Sequence, residues 1–268
     1  MNDHNEPAIV TRELTKNYRK TLAVDRLSIE VPAGSIFGLL GPNGAGKSTV
    51  IRMLTTILPP SSGTALVAGH SITDDPVGVR KCMGYVSQML SADGALTGHE
   101  NLLLFARIYG LPKRERRNRI DEALEFMGLS EVAGNVVGSY SGGMIRRLEI
   151  AQTILHQPSV VFLDEPTIGL DPVARRHVWD KLMELRSVYR TTIFLTTHDM
   201  EEADELCDLI AIMQSGRMAV CGEPAELKRQ AGTDSLDEVF IHFAGESGEK
   251  ATTYREIVQT RRTAQRIG

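Results

Sequence analysis

Apolar positions along the chain follow two rhythms. Ile36 to Leu40, Val160 to Leu163 and Thr191 to Leu195 are short apolar runs, and Val160 to Leu163 in particular has the look of a buried parallel strand. Ala8 to Leu14, Thr64 to Ala68, Leu209 to Met213 and Met218 to Val220 are shorter candidate strands, and Leu27, Ile29 and Val31 alternate cleanly before Pro32-Ala33-Gly34. Elsewhere the spacing is helical. Val50 to Leu58 predicts one helix and Asp75 to Lys81 a helical turn or two. Leu102, Leu103, Phe105, Ala106, Ile108 and Tyr109 form one apolar face, and Ile120, Ala123, Leu124 and Met127 a second. Val178, Leu182 and Leu185 follow Asp171, a plausible N-cap, with Pro172 at the first helical position. Glu201 to Leu206 and Glu223 to Gln230 also read as helical. Ser235 with Glu238 fits a capping box ahead of Leu236, Val239, Phe240 and Phe243.

Polar and breaker segments separate these elements. Lys16 to Lys20 reads as a polar loop, Pro59 to Gly63 as a break, Met89 to His99 as a loop, and Gln214 to Arg217 as a hairpin-like turn. Gly84 to Gln88 follows the short helix of 75–81. The whole predicts an α/β core with a mostly helical insertion over roughly 91–155. After Gly245 the tail is polar and its bases outnumber its acids, giving either a loosely ordered end or a weak attraction to anionic lipid.

Composition narrows the function classes. The chain has 268 residues, a formal charge of -4 and 24% charged residues, so it carries no global nucleic-acid footprint. Lys113 to Arg117 is basic, but Glu115, Asp121, Glu122 and Glu125 interleave with it as on a solvated helix face. Cys82, Cys207 and Cys221 lack a metal-ligand rhythm and read as free thiols of a reducing compartment. The polar, acidic start is no signal peptide, and no apolar run is long enough to span a membrane.

The chemistry concentrates in Gly41-Pro42-Asn43-Gly44-Ala45-Gly46-Lys47-Ser48-Thr49, placed between a strand and a helix. That context defines a phosphate-binding loop. The glycines let backbone N–H groups approach phosphate oxygens, Lys47 faces the β- and γ-phosphates, and Ser48 offers a hydroxyl to Mg²⁺. Asp164, at a strand end, is the expected magnesium partner, and Glu165 beside it can deprotonate an attacking water. His198, after the next strand, is either structural or a γ-phosphate contact. Gln88 alone is only a polar strand-end residue, and Tyr18 is either a packing residue or a ring stacked on a nucleobase. Ser141-Gly142-Gly143 ahead of a helix is either a second anion-binding motif or a capped helix start.

Taken together and in this order, these segments resemble the ATP-binding subunits of ABC transporters over approximately residues 8–220. The resemblance implies a P-loop NTPase with a RecA-like parallel sheet, an antiparallel β subdomain and an inserted helical subdomain at 91–155. A C-terminal helical extension at 221–244 and a basic tail at 245–268 follow. It assigns Tyr18 to adenine stacking, Gln88 to the loop that senses magnesium and touches a membrane partner, and Ser141, Gly142 and Gly143 to the signature. Asp164 becomes the magnesium ligand together with Ser48 and Gln88, Glu165 the catalytic base and His198 the switch histidine. Gly169-Leu170-Asp171 becomes the loop that communicates across a dimer. The implied cofactors are ATP and Mg²⁺. The implied partners are a second copy packed head to tail and two membrane-spanning permease subunits, with no direct nucleic-acid contact. The expected place is peripheral, on the cytoplasmic face of the membrane through those partners.

Tyr140 and Met144 depart from the commonest signature, and Ile168 from the usual threonine or serine. With Arg146-Arg147-Leu148 and Leu236 to Phe240, the first two resemble the daunorubicin/doxorubicin-resistance and nodulation-type exporters. Two other readings remain open on the sequence. One is an ABC-type ATPase acting on DNA or ribosomes, disfavoured by the single phosphate loop and short insert. The other is a P-loop kinase, disfavoured by Ser141.

Overall fold

A computed structural model describes residues 6–244. Two sheets form its frame. The larger is six-stranded, in the order β11 (Arg217–Gly222), β10 (Leu209–Gln214), β4 (Ile36–Leu40), β9 (Thr192–Thr197), β8 (Val160–Asp164) and β7 (Met83–Val86). All neighbours are parallel except the β10–β11 hairpin. The smaller sheet is antiparallel and joins β2 (Thr21–Leu27), β1 (Pro7–Tyr18), β5 (Ser62–Val67) and β6 (His70–Ser71), with β3 (Glu30–Pro32) also paired to β1.

The continuous apolar runs are strands buried on both faces, and successive side chains enter different cores. Ile36, Leu40, Val161, Leu163, Ile193 and Leu195 face one cluster with the helices α5 (Gly142–Ile154), α6 (Pro172–Tyr189) and α7 (Met200–Leu206). Phe37, Leu39, Phe162 and Phe194 face the other, shared with the antiparallel sheet and α1 (Lys47–Leu54). This is the two-residue period of a strand. Phe37 and Phe162 lie 5.1 and 5.6 Å from Phe194, ring centroid to ring centroid.

The helical insertion contains α3 (Gly98–Ile108), α4 (Lys113–Phe126) and α5. Thr97 and Glu100 form a reciprocal capping box that starts α3 inside the segment expected to be loop. The basic stretch on α4 pairs with its own acids, Arg114 with Glu115 at 3.3 Å and Arg117 with Asp121 at 3.7 Å. Asp171 caps α6 by accepting from the Ala174 amide at 2.9 Å, with Pro172 in its first turn. Helix α2 (Pro76–Cys82) precedes β7, while α8 (Pro224–Ala231) and α9 (Leu236–Ala244) follow β11. At the start of α9 the Glu238 carboxylate takes the hydroxyl of Thr233, which in turn accepts from the Ser235 amide.

Several expectations are corrected. Lys16 to Tyr18 is strand, with Tyr18 opposite Thr21 and Asn17 opposite Leu22, and only Arg19-Lys20 makes the turn. The polar composition reflects solvent on this end of the hairpin. Strand β2 has no counterpart in the apolar pattern, because among its residues only Val24 and Leu27 are buried. The helix expected at Val50 to Leu58 begins at Lys47 and ends at Leu54. The left-handed Gly46, φ 109°, turns the chain straight into it, and Thr56, φ 62°, closes its end. The tail expected at 245–268 lies outside the described residues. Among the described residues no helix is long and apolar enough to cross a membrane.

Candidate active site

Because β4, β9, β8 and β7 are parallel neighbours, their carboxyl ends share one edge, where open α/β sheets hold ligands. Register then brings the chemistry together. Asp164 stands opposite Thr196, and Leu40, just before the phosphate loop, opposite Thr197.

The phosphate loop is shaped by its floor. A side chain at Gly41 would place Cβ 2.4 Å from the Met213 carbonyl oxygen, and one at Gly46 would place it 2.4 Å from that of Ala23. Only glycine fits those two positions. The tip of the β10–β11 hairpin completes the support: Gly216 donates its amide to the Ala45 carbonyl at 3.0 Å and accepts from the Asp25 amide at 2.8 Å. Asn43 and Gly44 are exposed above this floor, and Pro42 is partly so.

Lys47 and Ser48 open α1, with Thr49 beside them. The Lys47 ammonium is 5% exposed and donates to the Gly41 carbonyl at 2.7 Å and to that of Pro42 at 3.3 Å. It also lies 3.3 Å from Glu165 Oε1. Ser48 donates its hydroxyl to Asp164 Oδ1 at 3.1 Å. Glu165 Oε2 lies 2.6 Å from His198 Nδ1, the contact an Nδ1–H would make as donor. Lys47, Ser48, Asp164, Glu165 and His198 are thus one continuous polar cluster. Glu165 holds a left-handed backbone, φ 51°, which is rare outside glycine and concentrates at functional sites.

Thr196 received no role from the sequence, yet it organises this cluster. Its hydroxyl donates to Asp164 Oδ1 at 2.6 Å, and its Oγ1 and carbonyl oxygen both accept from the Glu165 amide at 3.1 Å. The available signal was a pair of threonines ending an otherwise apolar run. Thr196→Val keeps the carbonyl contact and removes a bond to a charged group, worth about 1.5–3 kcal/mol. Urea unfolding should show a loss of that order.

The remaining sequence-derived residues stand apart from the cluster. Tyr18 is exposed at the end of β1, with Lys16 Nζ 5.4 Å from its ring centroid. Gln88, beyond β7, is exposed, and its side chain has no hydrogen bond to Ser48 or Asp164 among the described residues. Ser141 caps α5 by accepting from the Met144 amide at 3.3 Å; Ser141 and Gly142 are exposed and Gly143 is buried. Among the described residues no hydrogen bond or ion pair joins Ser141–Gly143 to Gly41–Thr49.

Behind the cluster, buried Glu202 on α7 accepts at Oε1 from the Thr167 hydroxyl at 2.7 Å and the Trp179 indole N–H at 3.0 Å. Burial pushes its carboxyl above the ordinary glutamate range. Tyr85 on β7 has its phenol pushed up first by burial and then by the Asp164 carboxylate.

The family model described as "ABC transporter" matches residues 24–168, from β2 through the phosphate loop and signature to just past Glu165. This chain belongs to the ABC transporter ATP-binding family. A shorter match, to a model described as "AAA domain, putative AbiEii toxin, Type IV TA system", covers residues 133–204. The daunorubicin/doxorubicin resistance ATP-binding protein DrrA of Streptomyces peucetius is 46% identical over 236 residues, 88% of this chain and 71% of that protein. The Nod factor export ATP-binding protein I of Sinorhizobium fredii is 42% identical over 231 residues, 86% of this chain and 67% of that protein. A solved structure of an ATP-binding subunit of an ABC transporter superposes with a TM-score of 0.78 at 28% identity, covering 88% of this chain and 99% of that one. The ABC ATPase fold and the kinship with resistance and nodulation-type exporters, which Tyr140 and Met144 implied, are therefore established. The domain binds ATP and is an ATPase of this family.

Proposed function

We propose that this ABC ATPase powers export through separate membrane-spanning subunits, and that two copies close head to tail around two ATP molecules. The observation that carries the dimer is the division of the site. Lys47, Ser48, Asp164, Glu165 and His198 converge within one chain, while the exposed Ser141 has no part in that cluster. A second copy supplies the missing half: its Ser141 and the amides of Gly142 and Gly143 meet the γ-phosphate held by Lys47. Helix N-termini of this kind accept phosphate oxygens readily.

Within each site Lys47 binds the β- and γ-phosphates, and Tyr18 stacks on adenine. Ser48 and Asp164 present convergent oxygens, the donors a hard cation prefers. Among the described residues no group of three or more His, Cys, Asp or Glu can form a metal cage. So sparse an oxygen set suits Mg²⁺, which keeps waters and phosphate oxygens in its shell. Bound there, Mg²⁺ would neutralise charge on the transferring phosphoryl group, with Ser48, Asp164 and Gln88 as its residues. Glu165 takes a proton from water as the water oxygen bonds to the γ-phosphorus and the bond to the bridging oxygen breaks, leaving ADP and phosphate. His198 holds Glu165 in line.

ATP works because it binds the closed dimer better than open chains, and its cleavage removes that difference. The motion reaches the permeases through the loop around Gln88, with the ATPase peripheral on the cytoplasmic face. The test uses the slow variant Glu165→Gln. Light scattering should show a dimer when Mg·ATP is added, and adding Ser141→Arg should abolish it while fluorescent ATP still binds. A dimer that survives Ser141→Arg overturns the shared site.

A further inference from the structure

Arg146 and Glu149 are both 2% exposed, on a helix whose other charged residue, Arg147, turns the opposite way to the Met127 carbonyl at 2.8 Å. They pair at 3.0 Å, three residues apart on α5. Apolar residues of similar volume often stabilise a core as well as a buried ion pair does. What this pair adds is direction.

Each partner reaches the segment that carries Gln88. Arg146 Nη1 donates to the Ser87 carbonyl at 2.7 Å and Nη2 to the Gln88 carbonyl at 2.8 Å. Glu149 Oε1 accepts from both the amide and the hydroxyl of Ser91, the latter at 3.1 Å. One helical turn later, Gln152 Nε2 lies 3.5 Å from Asn101 Oδ1, which accepts from the Asp93 amide at 3.0 Å. Just beyond α5, His156 Nε2 lies 3.1 Å from the Met83 carbonyl at the start of β7. One face of α5 therefore holds the chain at Ser87, Gln88 and Ser91, and His156 just past its end holds the start of β7. The same helix begins at Ser141.

We propose that Arg146 and Glu149 are positioning residues that lock the backbone of Ser87 to Ser91 onto the signature helix, so that Gln88 and Ser141 move as one body. The guanidinium fork fixes the two peptides that flank Gln88, and the carboxylate fixes the far end of the loop at Ser91. Gln88 then reaches the metal oxygens when, and only when, the helix carrying Ser141 takes up its place against the partner. This rests on the proposed role of Gln88 at the metal.

The test compares the full chain with Gln88→Ala, Arg146→Met/Glu149→Met, Arg146→Lys and the triple variant. The paired apolar change avoids leaving one charge buried alone. Lysine retains the charge but cannot fork across two carbonyls. The paired variant and Arg146→Lys should lower kcat by about tenfold to a hundredfold, the scale of a small misplacement, with KM for ATP unchanged. The triple variant should be no slower than Gln88→Ala. Amide exchange at Ser91 should accelerate at least about tenfold in the paired variant. Effects that multiply in the triple variant, full activity of Arg146→Lys, or unchanged exchange at Ser91 would each overturn the proposal. A neutral Gln88→Ala instead removes the metal role of Gln88, and the clamp is then decided by the exchange at Ser91 alone. Should the paired variant fail to fold, Arg146→Lys decides through kcat.

Discussion

Glu165→Gln is expected to lower ATP turnover by about 10²–10⁴-fold, the usual contribution of a general base, while leaving ATP affinity within a few-fold. The geometry explains why these separate. An amide has nearly the same shape, so its oxygen can still face Lys47 Nζ, which lies 3.3 Å from Oε1. Its NH₂ can face His198 Nδ1, 2.6 Å from Oε2, once the imidazole takes the tautomer that accepts there. The fit survives and the ability to take a proton from water does not. Steady-state phosphate release and equilibrium binding of fluorescent ATP measure the two effects. Turnover within about tenfold of wild type would remove Glu165 from the role of base.

Lys47→Ala should weaken ATP binding by about a hundredfold or more, since charge-assisted phosphate contacts are worth about 1.5–3 kcal/mol each. It should also destabilise the chain without nucleotide. Glu165 is 6% exposed and loses its nearest cation, and breaking a buried pair costs about 3 kcal/mol or more. Glu165→Gln in the same chain should restore much of that stability but none of the ATP affinity. Urea unfolding and ATP titration on the single and double variants resolve the two roles. Equal ATP affinity in Lys47→Ala and wild type would contradict the phosphate-loop assignment.

The residues proposed to touch phosphate were legible because their chemistry demands a local pattern. Glycines that must clear the Met213 and Ala23 carbonyls, a lysine after them and acids at the end of an apolar strand announce themselves in one dimension. Strands buried on both faces were equally plain. Harder to read was whatever depends on a neighbour distant in sequence. Thr196 matters because register sets it opposite Asp164, 32 positions earlier. Arg146 and Glu149 look like surface charges until α5 is laid against the Ser87–Ser91 segment, 58 or so residues before. Strand β2 was hidden because its partners, not its own pattern, make it a strand. The signature serine was visible, but its separation from the phosphate loop within one chain is a fact of three dimensions.

The support beneath the phosphate loop bears on where this protein accepts new sequence. Exposed hairpin tips are usually the places where a chain takes an inserted tag or a fused reporter. The Ser215-Gly216 tip is an exception. Its Gly216 amide holds the Ala45 carbonyl, and its Gly216 oxygen holds Asp25. Lengthening that turn would loosen the phosphate loop from below. Among the described residues the Arg19-Lys20 turn has no such tie, although it lies directly beside Tyr18. For labelling, the Arg19-Lys20 turn is therefore the safer of the two hairpin tips.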